Sequence, residues 1–364
     1  MAVVIEPWKH IGIAIRPLAE RAAVLREAPR VNPNDAEPFG PAPLTFFEEF
    51  EIAVQYLIWM GVVVLPLLSP LWLLLRPSLI SLHYFCFIVF LSMVWPNGEW
   101  PIPPRNRLTN PLRNRKVASA FMRYFPMRII VEDPDMMLSE TRAPTLFAGV
   151  PHGLFPIGFV LLGFCNFSLP WRRIRAAAAS ITLRLPIWRQ VSLWNGGVDV
   201  SKETIVKTLK DGDDVLVAMD GIAGMFAGGH SPPEGKEVFL LKRRKGLVKI
   251  ALQRGSPLVP FVCFGNTKAV TPIQDRFGVM EACSRLLGVS LIYPRGRFLL
   301  PIPRSVPVTV CIGKALPRAN EGPIAQPSEA QVDELHERLM RELAAIYYRW
   351  RVAGGYAGVE LQVV

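Results

Sequence analysis

Five histidines occur in the chain: His10, His83, His152, His230 and His336. Only His152 stands where a proton transfer is expected. It directly follows the apolar run TLFAGV (Thr145 to Val150) and lies between Pro151 and Gly153, residues that set a tight turn. The apolar stretch after it reads as a helix, so the imidazole falls at a strand end and near a helix start. Carboxyl ends of strands are where α/β sheets place reactive groups. An imidazole there takes a proton near neutral pH, which makes His152 a candidate general base. A lone histidine more often makes a structural hydrogen bond; the Pro-His-Gly turn tips this one toward chemistry.

The second chemical signal is positive charge in blocks. Lys242-Arg243-Arg244-Lys245-Gly246 precedes a helical stretch, Arg295-Gly296-Arg297 follows Tyr293-Pro294, and Arg172, Arg173 and Arg175 form a third group. Basic groups at a helix start suit a phosphate. Nucleic acid is one reader of such a surface, but no nucleic-acid motif is present and no nucleic-acid partner is expected. A phosphorylated soluble co-substrate such as coenzyme A fits better. Serine-hydrolase, zinc-protease and P-loop motifs (GxSxG, HExxH, GxxxxGK[ST]) are absent. Cys86, Cys165, Cys263, Cys283 and Cys311 show no CxxC spacing, so they read as reduced, mostly buried thiols, and no metal is expected.

The elements that would position these groups are short and alternate. Arg128 to Glu132, Thr145 to Val150, Asp214 to Met219, Leu258 to Phe264 and Val306 to Ile312 read as buried strands. Ser201 caps a helix through Leu209 that stops at Gly212. A second helix runs from Arg244 to Arg254 and closes at Gly255. In the last helix Ser328 and Gln331 form a capping box, and Val332, Leu335, Leu339, Leu343, Ile346 and Trp350 recur at helical spacing. The fold class expected is α/β, a mixed central sheet with flanking helices.

Ahead of this region lie two uncharged apolar runs, Ile52 to Leu75 and Ser78 to Trp95, separated by Arg76-Pro77. Crossing a bilayer as helix takes about 20 apolar residues. Together they read as an N-terminal membrane helical hairpin, or as a re-entrant wedge bent at Pro66 and Pro70. Arginine and lysine from Arg105 to Arg128 place both hairpin ends on the cytosolic side. The expected domains are a surface or cytosolic segment over 1–46, the hairpin over 47–100 and the main domain over 101–364. Of 364 residues 51% are hydrophobic and 20% charged, with a net charge of +11, which excludes a disordered chain.

Five blocks in order resemble the diacylglycerol acyltransferase type 2 and monoacylglycerol acyltransferase family. They are VPHGLFPIGF (Val150 to Phe159), CNFS (Cys165 to Ser168), GGVDVSKETI (Gly196 to Ile205), LKRRKGLVKIALQRGSPLVPFVCFGN (Leu241 to Asn266) and YPRGRF (Tyr293 to Phe298). The resemblance implies a glycerolipid acyltransferase-like fold and a membrane-bound enzyme. That enzyme moves a fatty acyl group from acyl-CoA to a glycerolipid hydroxyl, diacylglycerol first. Wax-ester or monoacylglycerol synthesis and a non-catalytic lipid-binding scaffold are the alternatives. It implies acyl-CoA as co-substrate rather than a bound cofactor, membrane lipids as partners, and an endoplasmic reticulum membrane with a cytosolic-facing site. Lipid droplets, a plastid envelope and a homo-oligomer stay open. His152 takes the place of the family's catalytic histidine. Pro151, Gly153, Phe155, Asn166, Gly196, Gly197, Arg243, Arg244, Lys245, Gly246, Arg295 and Arg297 take substrate-binding places. Two departures stand out. Val150 replaces the first histidine of the family's block, and the family's Glu after two glycines is missing from Asp220-Gly221-Ile222-Ala223-Gly224-Met225, where Asp220 is the nearest substitute. After His152 the fifth position is Ile157, so the His-x4-Asp relay of phospholipid acyltransferases is absent.

Overall fold

Apolar runs without polar alternation build the centre of the molecule, as expected of strands covered on both faces. The structure is a computed structural model. It describes residues 1–7, 18–35, 73–94, 121–139, 141–165, 173–183, 196–221, 235–272, 302–317 and 322–364, and short pieces at 45–46, 49–50, 189, 192–193, 224–225, 278–279, 282, 284, 294–297 and 299. In chain order the elements are β1 (Ala2–Ile5), α1 (Leu18–Arg26), β2 (Arg30–Val31), α2 (Leu79–Val94), β3 (Met127–Val131), α3 (Pro134–Leu138), β4 (Leu146–Val150), α4 (Ile157–Cys165), β5 (Ile174–Ala178), β6 (Val198–Asp199), α5 (Lys202–Lys210), β7 (Asp214–Ala218), β8 (Lys236–Phe239), α6 (Gly246–Arg254), β9 (Leu258–Phe264), α7 (Asn266–Ala269), β10 (Thr271–Pro272), β11 (Pro294–Arg295), β12 (Val308–Ile312), α8 (Glu329–Trp350) and β13 (Glu360–Val363).

Nine strands form one mixed sheet in the order β2-β1-β3-β12-β9-β4-β7-β5-β6. β4 runs parallel to both β9 and β7, with Val150 opposite Val262 and Gly149 opposite Ala218. β12 runs antiparallel to β9, so its first residues lie at the same edge as the ends of β9 and β4. Side chains alternate across the sheet. Phe147, Leu216, Phe261 and Cys263 pack on one face with Phe159, Leu161 and Leu162 of α4. Leu146, Ala148, Val217 and Val262 pack on the other with α5, α6 and α8. The α8 capping box is present, and its six apolar positions named above are buried together with His336 and Tyr347. Gly255 closes α6 in the left-handed conformation at φ 66°.

Three differences from the sequence reading have physical causes. The last sheet strand starts at Val308 rather than Val306, where its N–H meets the Pro126 carbonyl at 2.9 Å. The helix expected from Arg244 starts at Gly246, because the Arg244 N–H is drawn into a turn onto the Leu241 carbonyl at 2.9 Å. Residues 1–46 do not stand wholly apart from 101–364: Val3 of β1 pairs with Val131 of β3, and Leu25 of α1 is buried in the same core as Ile129.

The second arm of the expected hairpin is α2, 16 residues with Leu79, Ile80, Leu82, Tyr84 and Phe87 exposed. At 1.5 Å per residue it is about 24 Å long, short of a hydrocarbon core of about 30 Å. Among the described residues no helix is long and apolar enough to cross a membrane. The first arm lies almost entirely outside the described residues, as do Arg105 to Lys116, Arg172, Cys283 and Asn166.

Candidate active site

Three adjacent parallel strands each deliver a polar residue two positions past their last residue. β4 ends at Val150 and delivers His152; β7 ends at Ala218 and delivers Asp220; β9 ends at Phe264 and delivers Asn266. The equal offset brings all three to one edge. The His152 N–H donates to Asp220 Oδ2 at 2.8 Å. Asn266 works on both flanks of the histidine. Its Nδ2 donates to the Pro151 carbonyl at 2.9 Å, and its Oδ1 accepts the Gly158 N–H at 2.9 Å. Gly158 lies in the first turn of α4, where amides lack helical partners, so Asn266 caps a helix 108 residues away in sequence. Gly153 takes φ +65°, and a Cβ there would come within 3.0 Å of the Asn266 carbonyl oxygen. The left-handed turn and the close approach both call for glycine.

The ring of His152 is half-buried, with Nδ1 2.7 Å from the Gly153 carbonyl oxygen. A carbonyl only accepts, so this contact assigns the proton to Nδ1 and leaves Nε2 with its lone pair. Phe159 lies beside the ring at 6.3 Å between centroids. Asp220 is 1% exposed, and its Oδ1 has no partner among the described residues. Burial holds its carboxyl pKa above the usual carboxylate range, an effect that the nearby His152 and Arg244 offset only in part. Gly224 packs against this carboxyl, and a Cβ at Gly224 would overlap Oδ2, Cγ and Cβ of Asp220.

A second buried carboxyl lies close by. Glu237 on β8 accepts from the Thr267 hydroxyl at 3.0 Å, and Thr267 meets the Tyr356 hydroxyl at 3.2 Å. Tyr356 in turn accepts the Gly265 N–H at 3.1 Å. Burial raises the Glu237 carboxyl to about 7.

The basic block before α6 reaches this edge through Arg244, whose Nη2 lies 3.4 Å from the Asp220 carbonyl oxygen. Arg243 is exposed, and Gly246 opens a helix whose first turn has no side-chain cap. Lys245 instead pairs with Asp333 at 2.5 Å. Phe155 follows the histidine turn, and its carbonyl accepts the Ile157 N–H at 2.8 Å. Other expected residues serve the fold. The Gly196 N–H bonds the Leu193 carbonyl and the Gly197 N–H the Ser192 carbonyl at 2.7 Å, so neither amide is open to a substrate oxyanion. A Cβ on Gly197 would sit 2.6 Å from that serine oxygen, which is why glycine stands there. Arg173 and Arg175 pair with Asp213. Arg297 pairs with Glu49 at 2.9 Å, while Arg295 sits exposed in the small β10–β11 pair. Asn266 and Glu237 were missed from the sequence. The signal for Asn266 is the one His152 also carries, a polar residue two beyond an apolar strand.

Fold and site together define an α/β protein with a half-buried histidine on the carboxyl edge of its parallel strands. The family model described as diacylglycerol acyltransferase matches residues 78–360, and the chain belongs to that family. Diacylglycerol O-acyltransferase 2 of Homo sapiens is 26% identical over 312 residues, covering 78% of this chain and 76% of that protein. 2-acylglycerol O-acyltransferase 1 of Mus musculus is 28% identical over 290 residues, covering 74% of this chain and 83% of that protein. Among solved structures, a 1-acyl-sn-glycerophosphate acyltransferase from Thermotoga maritima aligns with a TM-score of 0.37 and 17% identity, covering 78% of this chain and 99% of that one.

Proposed function

We propose that the protein is an acyl-CoA-dependent O-acyltransferase that esterifies a glycerolipid hydroxyl, with diacylglycerol as acceptor and triacylglycerol as product. The observation that carries it is the His152 ring, tied through Nδ1 to the Gly153 carbonyl so that Nε2 is the proton acceptor. The acceptor oxygen attacks the thioester carbonyl carbon while its proton passes to Nε2. The tetrahedral oxyanion needs a donor, and the Gly153 N–H, with no partner among the described residues, is the candidate. The C–S bond then breaks, and the imidazolium returns its proton to the departing thiolate. Arg243 and the uncapped start of α6 suit the coenzyme A phosphates.

The exposed apolar side chains of α2, together with exposed Phe46 and Phe50, support seating on a membrane. Endoplasmic reticulum membrane with the site facing the cytosol, and lipid droplets, are the proposed places. The 2-acylglycerol acyltransferase relative favours monoacylglycerol as the second acceptor to try. The test is to offer labelled acyl-CoA to membranes carrying the protein, with diacylglycerol, monoacylglycerol and a fatty alcohol in parallel. Ester forms with diacylglycerol, and His152→Ala lowers the rate about 10²–10⁴-fold. No ester with any acceptor, or full activity in His152→Ala, overturns the reading.

A further inference from the structure

We propose that Asp220 is the positioning carboxylate of His152 and occupies the space that a side chain at position 224 would fill. The proposal rests on the reading of His152 as the base. Three observations carry it. Asp220 is fully enclosed at the end of the strand beside the histidine strand, and one of its oxygens already fixes the His152 main chain. Its other oxygen is buried without a partner among the described residues. A buried, unsatisfied acceptor carries a cost that native structures rarely leave unanswered, which points to a state of the site in which that oxygen is used. Third, the Gly224 backbone lies so close to this carboxyl that no larger residue fits while Asp220 holds its place. The resemblance puts an acid after two glycines in this loop, and here the loop has Gly224 and an acid four residues earlier.

The role follows from charge. When His152 takes the acceptor proton it becomes a cation in a half-buried turn. Asp220 is the carboxylate beside it, and the attraction between the two is strongest while the proton rests on the ring. The other charged or titratable groups facing this carboxyl are Arg244 from the turn before α6 and Glu237 from β8. The Cys263 thiol of β9 is pushed up by burial and stays neutral. Arg244 offsets part of the negative charge, and Glu237 adds to it once ionised. Asp220 touches no reacting atom; it acts through the histidine it holds.

Asp220→Asn keeps an oxygen for the His152 N–H and removes the charge. In membranes carrying the full chain, kcat falls about 10- to 100-fold and the KM for acyl-CoA stays within about twofold. An unchanged kcat, or a KM for acyl-CoA that rises as kcat falls, overturns the proposal. Asp220→Gly combined with Gly224→Glu returns the acid from the other position, and the double variant recovers activity about tenfold above Asp220→Gly. A double variant no better than Asp220→Gly overturns the claim that the two positions share one place. Retained activity in His152→Ala would instead remove the underlying reading, whatever Asp220→Asn does.

Discussion

Strand β7 carries a buried aspartate at each end, and the two are treated in opposite ways. Asp214 at its start has both oxygens engaged. Arg142 grips Oδ1 at 2.8 Å and Oδ2 at 2.5 Å, and the Thr145 N–H adds a third bond at 2.8 Å. Asp220, just past its end, accepts one main-chain bond, and its Oδ1 has no partner among the described residues. Both are enclosed to a similar degree, at 0% and 1% exposed, so burial alone does not separate a structural acid from a working one. Satisfaction does. The amino edge of the sheet is closed by a saturated ion pair, while the carboxyl edge keeps an unspent acceptor beside His152.

Replacing each acid in turn is the hardest test of this contrast. Asp214→Ala strands a buried guanidinium and should lower stability by about 3–5 kcal/mol in chemical denaturation. Asp220→Ala should cost less, about 1–3 kcal/mol for the His152 N–H it leaves unpaired, and an equal loss in both would erase the distinction. Glu237 comes next. Its carboxyl sits at about 7 in the folded chain against 4.5 for an ordinary glutamate. The folded state therefore holds this proton more tightly than the unfolded chain does. Its contribution is full below about 4.5 and is lost as pH rises through about 7. Glu237→Gln should gain roughly 3 kcal/mol over the parent at pH 8 and nothing at pH 4, read from melting at both values. Asn266→Ala should cost about 1–3 kcal/mol for each group it leaves unpaired, with a fall in kcat as the histidine turn loosens; Asn266→Asp should recover neither fully, since it cannot donate to the Pro151 carbonyl. The smallest effect belongs to Arg243→Ala, a rise of several-fold in the KM for acyl-CoA with the acceptor KM unchanged, steeper at low salt.

How much of this could be read from the chain depends on how local the signal is. β4, β9 and α8 were legible because a buried strand shows as an unbroken apolar run and a capping box lies within four residues. β1 was not, since four apolar residues say nothing of a partner some 125 positions on, and the pairing of Val3 with Val131 is made only by the finished sheet. Arginines mislead for the same reason. Arg297 looks like a phosphate ligand until Glu49, 248 residues earlier, is seen beside it. The resemblance gives Gly196–Gly197 a substrate-binding place, but sequence shows which amides exist and not where they point, and both are turned onto local carbonyls. His152 was found through its strand and turn, whereas Asn266 needed the neighbouring strands to be ordered first.

The crowding between Asp220 and Gly224 also restricts how such a site can change through descent. An acid can come from either position, but the first step from one arrangement toward the other either seats two acids in a space built for one or leaves the imidazole with none. Both intermediates are handicapped, so a lineage that has crossed from one to the other is expected to keep its choice, and the acid at 220 together with the small residue at 224 should be inherited as a pair.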